Sequence, residues 1–314
     1  MDRRVPLVTI GLPTYDGGKY LAKSLDSLLA QDYPNFEILI SDNASTDATE
    51  VIARGYAERF PNIRYIRQET NLGAVANFNY VLGAAAGPYF MWASDHDLWG
   101  RAFISRCVAA LEADAEAVLA YPQSMLIDED GNELHEMDDQ IDLRDASALV
   151  RYKRLIWRLT ICNMIYGVGR REAMVATGGY ADVLAPDRLV LARLALQGPI
   201  LTVGGHLYLR RQNRPPETAD ESRRRQLADL SPSAASERAA MPAPRLFGLL
   251  RGLHLRAVRE SSLSFTEKIN AELATLACFH MRFHVASNLF RILRVGARVT
   301  RQSVGLDRCL GRGL

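Results

Sequence analysis

The chain has no uninterrupted apolar run of the ~18 residues that a membrane-crossing helix requires. Met1-Asp2-Arg3-Arg4 leads straight into a β-branched stretch, without the separate apolar core of a secretory leader. Neither a transmembrane span nor a cleaved leader is therefore expected, and the expected location is cytoplasmic. Cysteine is sparse. Cys107, Cys162, Cys278 and Cys309 lie far apart and form no Cys-x-x-Cys pair. That spacing excludes the common zinc and dithiol patterns and suits reduced thiols.

A strong overall charge is also missing, since the formal net charge is only +2. The distribution is uneven, however. Residues 245–314 hold 12 Lys+Arg against 4 Asp+Glu, a net +8, which leaves 26 against 32, or −6, for residues 1–244. An acidic body with a basic tail implies that the tail has a separate task.

What is present is an ordinary globular composition, 48% hydrophobic and 24% charged over 314 residues. The length allows one large domain with an appendage, or two modest domains. The first 120 residues alternate strand and helix signals. Strands are expected at Val5–Leu12, Phe36–Ile40, Ile63–Ile66 and Tyr89–Ala93. Helices are expected over 19–31, from a cap at Ser45 or Thr46 to about Phe60, and over 73–86. This rhythm predicts an α/β fold, a mostly parallel sheet flanked by helices.

Later signals are weaker. Ala117–Tyr121, 163–169 and 200–209 read as strands, and 145–158 and 187–197 as helices. Asp128-Glu129-Asp130-Gly131-Asn132 reads as a hairpin turn, because its acids lack EF-hand spacing. Residues 213–244 are polar and rich in Pro, Ser, Ala and Arg, with no clear period beyond a short possible helix, and read as a linker or mobile segment. Residues 245–295 regain a helical period.

The most informative stretch is Asp95-His96-Asp97, which ends the apolar run Tyr89-Phe90-Met91-Trp92-Ala93. In extended backbone, alternate side chains share a face. Asp95 and Asp97 would then lie together at the sheet's C-terminal edge, where open α/β sheets bind ligands. A hard cation, Mg²⁺ or Mn²⁺, relieves their repulsion and completes its shell with substrate phosphates. His96 would point the opposite way and take a supporting role. Trp92 and Trp99 read as core or pocket wall.

In order and spacing, five motifs together resemble the family 2 glycosyltransferases. They are Val-Thr-Ile-Gly-Leu-Pro-Thr-Tyr-Asp at 8–16, Phe-Glu-Ile-Leu-Ile-Ser-Asp-Asn-Ala-Ser-Thr-Asp at 36–47, and Asn71-Leu72-Gly73 with Asn77. Asp95-His96-Asp97 and Gly178-Gly179-Tyr180 with Pro186-Asp187 complete the set. The resemblance covers about residues 5–215. It implies a GT-A (Rossmann-like) domain over 1–215, with a linker over 216–244 and a basic helical extension over 245–314.

The roles that follow are those the resemblance implies. Pro13, Thr14 and Tyr15 would line a nucleotide pocket, with Asn71 beside it, and Asp42 would accept hydrogen bonds from the base or its neighbours. Asp95 would contact the ribose or the metal shell, and Asp97 would bind the metal, Mn²⁺ or Mg²⁺. Arg210 and Arg211 would grip the diphosphate. Asp187 would be the base that deprotonates the acceptor hydroxyl in an inverting transfer. Helix capping is the plain alternative for Asp187, and Asp182 is a fallback base. The implied activity is metal-dependent transfer from a nucleoside-diphosphate-sugar to a glycan or lipid-linked hydroxyl, as in bacterial surface polysaccharide synthesis.

Two departures matter. Pro186 stands where the family usually carries an acid, and Arg211-Gln212-Asn213 replaces the usual Arg-x-His. They keep open a non-catalytic glycan- or nucleotide-binding protein on the same fold. A sugar nucleotidyltransferase ranks lower, since Pro13–Lys19 lacks an Arg-rich triphosphate loop. His284–Gln302 sets Leu289, Ile292, Leu293, Val295 and Val299 among Arg291, Arg294, Arg298 and Arg301. Such a helix suits peripheral contact with an anionic membrane, or packing on the body with its arginine stems. Nucleic acid is not an expected partner.

Overall fold

Every residue of β1 (Val8–Thr14) is buried, as befits a strand covered by helices on both faces. The computed structural model describes residues 5–213 and 218–282. β1 is followed by α1 (Leu21–Leu29), β2 (Phe36–Asp42), α2 (Thr49–Arg59), β3 (Ile63–Arg67), α3 (Ala74–Gly83) and β4 (Tyr89–Trp92). β1 pairs in parallel with β2 and β4, and β2 with β3. The expected alternation is therefore present. β4 shows the period of two that a two-faced strand needs. Tyr89 and Met91 join Leu21, Leu25 and Leu28 of α1 on one face. Phe90 and Trp92 join Val81 and Leu82 of α3 on the other.

Beyond β4 the chain adds β5 (Leu98–Trp99), α4 (Phe103–Ala113), β6 (Leu119–Ile127), β7 (Glu133–Glu136) and α5 (Ala148–Arg158). Then come β8 (Val168–Arg170), α6 (Arg171–Ala176), α7 (Pro186–Gln197) and β9 (Ile200–Arg211). The sheet order is β3-β2-β1-β4-β8-β6-β9-β5, with β7 paired to β6. β8 runs antiparallel to both β4 and β6, while β6 and β9 are parallel to each other. Thr14, Asp42, Trp92, Ile127 and Arg211 thus all end strands at one edge of the sheet. Asp128 makes the expected hairpin turn, accepting the N–H groups of Asp130, Gly131 and Asn132 on Oδ1 at 2.8–2.9 Å.

Several expectations need correction. α2 starts at Thr49 with Ala48 at the cap position, and neither Ser45 nor Thr46 caps it. Ser45 Oγ instead accepts the Asp16 N–H at 2.9 Å, and the Thr46 N–H goes to Asp16 Oδ1 at 2.7 Å. Residues Asn163–Tyr166 form a 3₁₀ turn, not a strand. The Asn163 side chain turns inward to Asp139 at 2.8 Å, and Gly167 N–H closes the turn on Met164 O.

The presumed linker is helical from Ala219. α8 (Ala219–Ala228) opens on a Thr218/Glu221 capping box, and α9 (Pro232–Arg238) is capped by Ser231. Leu227, Leu230 and Ala234 pack with Val75 of α3 and Leu184. Leu227 is the only large apolar residue of α8, too few to give a period, although both caps are standard. α10 (Ala243–Glu260) and α11 (Phe265–His280) form where a helical period was read. Leu250, Val258, Ala271 and Phe279 share one core with Leu155 of α5 and Leu191 of α7. His284–Gln302 lies outside the described residues.

His254 of α10 is held between α5 and α11. Its Nδ1 is 3.4 Å from Tyr152 Oη, which bonds Thr275 Oγ1 at 2.7 Å, and Phe279 packs edge-on at 5.2 Å. Burial, helped by Arg188 and Arg193, pushes its pKa down to about 3. The imidazole is thus neutral in the fold, whereas the unfolded chain protonates it near pH 6.5. Its contribution is whole above that pH and is lost as pH falls toward 3, at up to about 1.4 kcal/mol per unit. Urea unfolding of His254→Phe beside the parent should show a shallower loss of stability between pH 6.5 and 4. Equal slopes would mean that His254 is not buried in the neutral form.

Candidate functional site

The site is built where the strand ends converge. β1 delivers Thr14, whose Oγ1 donates to Asp95 Oδ2 at 2.6 Å. The turn after it must pass close by. A Cβ on Gly17 would sit 2.4 Å from Asp95 Oδ2 and 2.5 Å from Thr14 Oγ1, so glycine is needed there. Pro13 is buried beneath this turn, whereas Tyr15 is 48% exposed above it.

β2 delivers Asp42, which is fully buried. Its Oδ2 accepts Tyr65 Oη and Arg67 Nη1, each at 2.8 Å, and its Oδ1 accepts the Ser45 N–H at 2.8 Å. Burial and this carboxylate push the Tyr65 phenol up to about 12, so it remains a donor. The neighbouring loop is tied by asparagines. Asn43 Nδ2 donates to Asn71 Oδ1 at 2.8 Å, and Asn77 Nδ2 donates to Ser41 O at 2.8 Å.

After β4 the backbone bends at Asp95 and His96 rather than staying extended. The two carboxylates therefore do not share a face as the i, i+2 rule suggested. Asp95 turns to Thr14, while Asp97 turns into the protein. His96 is not opposed to its neighbours but lies between them, with Nδ1 2.8 Å from Asp95 Oδ1 and Nε2 3.9 Å from Asp97 Oδ2.

Asp97 is 2% exposed. Its Oδ2 accepts Ser94 Oγ and Tyr208 Oη, both at 2.5 Å, and its Oδ1 accepts the Arg211 N–H at 2.7 Å. Burial first, then the Asp97 charge, drives the Tyr208 phenol well above its ordinary range, which keeps its proton on this bond.

β9 delivers the two arginines, which differ. Arg211 lies over the Tyr20 ring at 4.7 Å. It donates Nε to His96 O at 2.7 Å and Nη1 to Asp128 O and Glu129 O at 3.0 and 2.6 Å. Its Nη2 is buried without a hydrogen-bond partner among the described residues. Arg210 reaches Asn163 Oδ1 at 3.3 Å.

A cavity of about 880 Å³ opens beside them. Its wall includes His96, Asp97, Tyr208, Arg210, Arg211 and Asp187. Asp187 is in the first turn of α7 but is not its cap. Ala185 holds that position in a left-handed conformation (φ 51°), which costs an L-residue about 1 kcal/mol. Its N–H goes to Gln226 Oε1 of α8 at 3.1 Å. Asp182 is committed elsewhere, accepting the N–H and Oγ of Ser231 at 2.9 Å each. The fallback is thus occupied in holding α9.

Three wall residues had no site role in the sequence reading: Cys162 immediately precedes the 3₁₀ turn, and Asn163 and Tyr166 belong to it, where a strand was expected. Burial, then Asp187, raises the Cys162 thiol far above its usual range, and burial, then Asp97 and Asp187, does the same to the Tyr166 phenol. Both face the carboxylates as neutral groups. Ser222, Gln226 and Asp229 of the presumed linker also line the cavity. No pattern of spacing distinguishes them.

For a divalent cation the donor set is Asp95 and Asp97 with His96 between. No group of three His, Cys, Asp or Glu converges among the described residues. Asp95 is engaged by Thr14 and His96 and Asp97 by Ser94, Tyr208 and the Arg211 N–H, so a cation held there would have to draw most of its shell from ligand phosphates.

The glycosyl transferase family 2 model matches residues 9–173, just over half of the chain. An uncharacterised glycosyltransferase of Rickettsia typhi is 36% identical over 131 residues, which are 41% of this chain and 40% of that protein. An uncharacterised protein of Mycobacterium tuberculosis is 36% identical over 138 residues, 43% of this chain and 40% of that one. The match thus spans about two fifths of these relatives' length.

Among solved structures, S. aureus TarS 1–349 in complex with UDP-GlcNAc superposes with a TM-score of 0.65 at 18% identity, covering 88% of this chain and 73% of that one. The mannosyltransferase PcManGT of Pyrobaculum calidifontis, in complex with GDP-Man and Mn²⁺, gives 0.52 at 20% identity, covering 90% and 82%. These likenesses establish the GT-A fold.

Asp97 is a structural tie as well as a wall of the cavity. Asp97→Ala should cost about 3 kcal/mol, since two hydroxyls and a backbone N–H lose a charged acceptor. Tyr208→Phe should cost roughly half of that. Guanidinium melts of both variants test this ordering, and a loss under about 1 kcal/mol for Asp97→Ala would contradict the network.

Proposed function

The chain belongs to glycosyl transferase family 2, and on that footing we propose that it transfers a sugar from a nucleoside-diphosphate-sugar to a hydroxyl of a glycan or lipid-linked acceptor, with inversion. The observation that carries this reading is that Asp187, Asp97 and Arg210 face one cavity at the carboxyl edge of the sheet. Asp187 accepts the acceptor's proton there as its oxygen attacks the anomeric carbon. Arg210, with the spare Nη2 of Arg211, meets the charge that grows on the leaving diphosphate. A divalent cation at Asp95 and Asp97 would supply further neutralisation of that charge.

Pro13, Thr14, Tyr15 and Asn71 take the nucleotide side. Asp42 acts there through its neighbours, holding Tyr65 and Arg67 in place. The neighbours named with UDP-GlcNAc, and with GDP-Man and Mn²⁺, support a nucleotide-sugar and a divalent cation for this chain. Residues 1–215 form the transferase domain in this reading, and the basic C-terminal region brings it to the membrane side of bacterial surface polysaccharide assembly.

The test is thermal unfolding with UDP, GDP, dTDP and CDP, each with and without Mn²⁺, alongside Asp95→Ala and Asp187→Asn. A nucleotide at about 100 times its dissociation constant adds roughly 2.7 kcal/mol. One nucleotide should raise the midpoint in the presence of Mn²⁺, and Asp95→Ala should weaken that response. Asp187→Asn should keep the response while turnover falls about 10²–10⁴-fold. Nucleotide binding with no turnover by the parent chain on any acceptor would favour the non-catalytic reading. No response to any nucleotide would overturn the donor site.

A further inference from the structure

α11 is apolar on two faces. Ala271, Cys278 and Phe279 enter the core. Phe265, Ile269, Leu273 and Leu276 recur at spacings of four, four and three and point outward, with Phe265 78% and Leu273 62% exposed. An ordinary surface helix has one apolar stripe, and a contiguous exposed one marks a contact surface. The adjoining helix has the complementary character. α5 packs along α11, with Lys153 Nζ on Asn270 Oδ1 at 3.0 Å and Ile156 O accepting Cys278 Sγ at 3.1 Å. α5 contains Arg151, Lys153, Arg154 and Arg158 and no acidic residue. Only Arg151 of these is buried, and Trp157 is 42% exposed beside them.

We propose that the outer face of α11, flanked by the basic edge of α5, lies on an anionic lipid surface. The chemistry is that of an interfacial helix. Phe, Ile and Leu side chains enter the acyl boundary, Trp157 sits at headgroup level, and lysine and arginine meet the phosphates. Of the acids of α11, Glu272 pairs with Arg259 at 2.6 Å, and Glu267 sits in the helix cap on Ser264 at 2.7 Å, at the N-terminal end of the stripe. In sequence, residues 283–314 add six arginines and one acid, a charge of the same sign. The inference assigns a folded surface to the membrane contact proposed for the C-terminal region, and it does not depend on the transferase chemistry.

The test is flotation of the full chain with phosphatidylcholine vesicles, with and without phosphatidylglycerol, for the parent and for a Leu273→Asp/Leu276→Asp double variant. Both positions are exposed, so the variant should unfold at the parent's midpoint and keep its nucleotide response. The parent is expected to float only with anionic vesicles, and the variant to partition at least about ten-fold more weakly. Arg154→Glu/Arg158→Glu should weaken binding and leave what remains less sensitive to salt. Equal flotation of parent and Leu273→Asp/Leu276→Asp would assign the lipid contact to residues 283–314 and overturn the α11 face. A parent that never floats, but is a dimer by light scattering while the variant is a monomer, would replace lipid by a second copy of the chain.

Discussion

The carboxylate of Asp97 is the fixed point of the site. It ties the bend after β4 to β9 through Ser94, Tyr208 and the Arg211 N–H. A buried charge is tolerable only when its lone pairs are met, and here three donors meet them. Arg211 extends the tie, since its guanidinium holds the carbonyls of His96, Asp128 and Glu129. Three chain segments that end at the same edge of the sheet are thereby locked to one another. The positions of Asp95, His96 and Arg210 follow from that lock.

The other half of the cavity depends on the N-terminal turn of α7. That turn is strained at Ala185 and has no side-chain cap of its own. α8 and α9 tie the segment down, with Gln226 Oε1 accepting the Ala185 N–H and Ser231 Oγ donating to Asp182. The same segment reaches α3, where Val75 N–H meets Asp229 O at 3.3 Å. Gly73 permits the approach, because a Cβ there would lie 2.4 Å from Leu230 O. α8 and α9 therefore bridge the α3 side and the α7 side, and the wall of the cavity is incomplete without them.

The C-terminal helices combine two functions of packing. Their inner faces extend the core that begins at β4, while α11 leaves a second apolar stripe outside. Burial of that stripe requires something beyond the described chain, whereas the transferase reading requires only the cavity. The two readings therefore stand on different residues and different chemistry.

Sequence alone determined the α/β alternation of the first four strands, because burial on two faces writes itself as apolar runs separated by helical periods. It also singled out Asp95 and Asp97, because polar residues immediately after such a run lie at a strand end, whereas Asp187 and Arg210 came from the resemblance to the family; the fold lines one cavity with Asp97, Asp187 and Arg210. Sequence could not determine the directions of those side chains. The bend at Asp95 and His96, the loss of Asp182 to Ser231, and the arrival of Cys162, Asn163 and Tyr166 in the wall depend on contacts between residues far apart in the chain. α8 shows the same limit. A short helix in this stretch was legible, but its packing was not, because one apolar residue per turn or fewer carries no period. Local pattern is set by which residues must leave water, and the tertiary structure alone decides which partner each polar group meets.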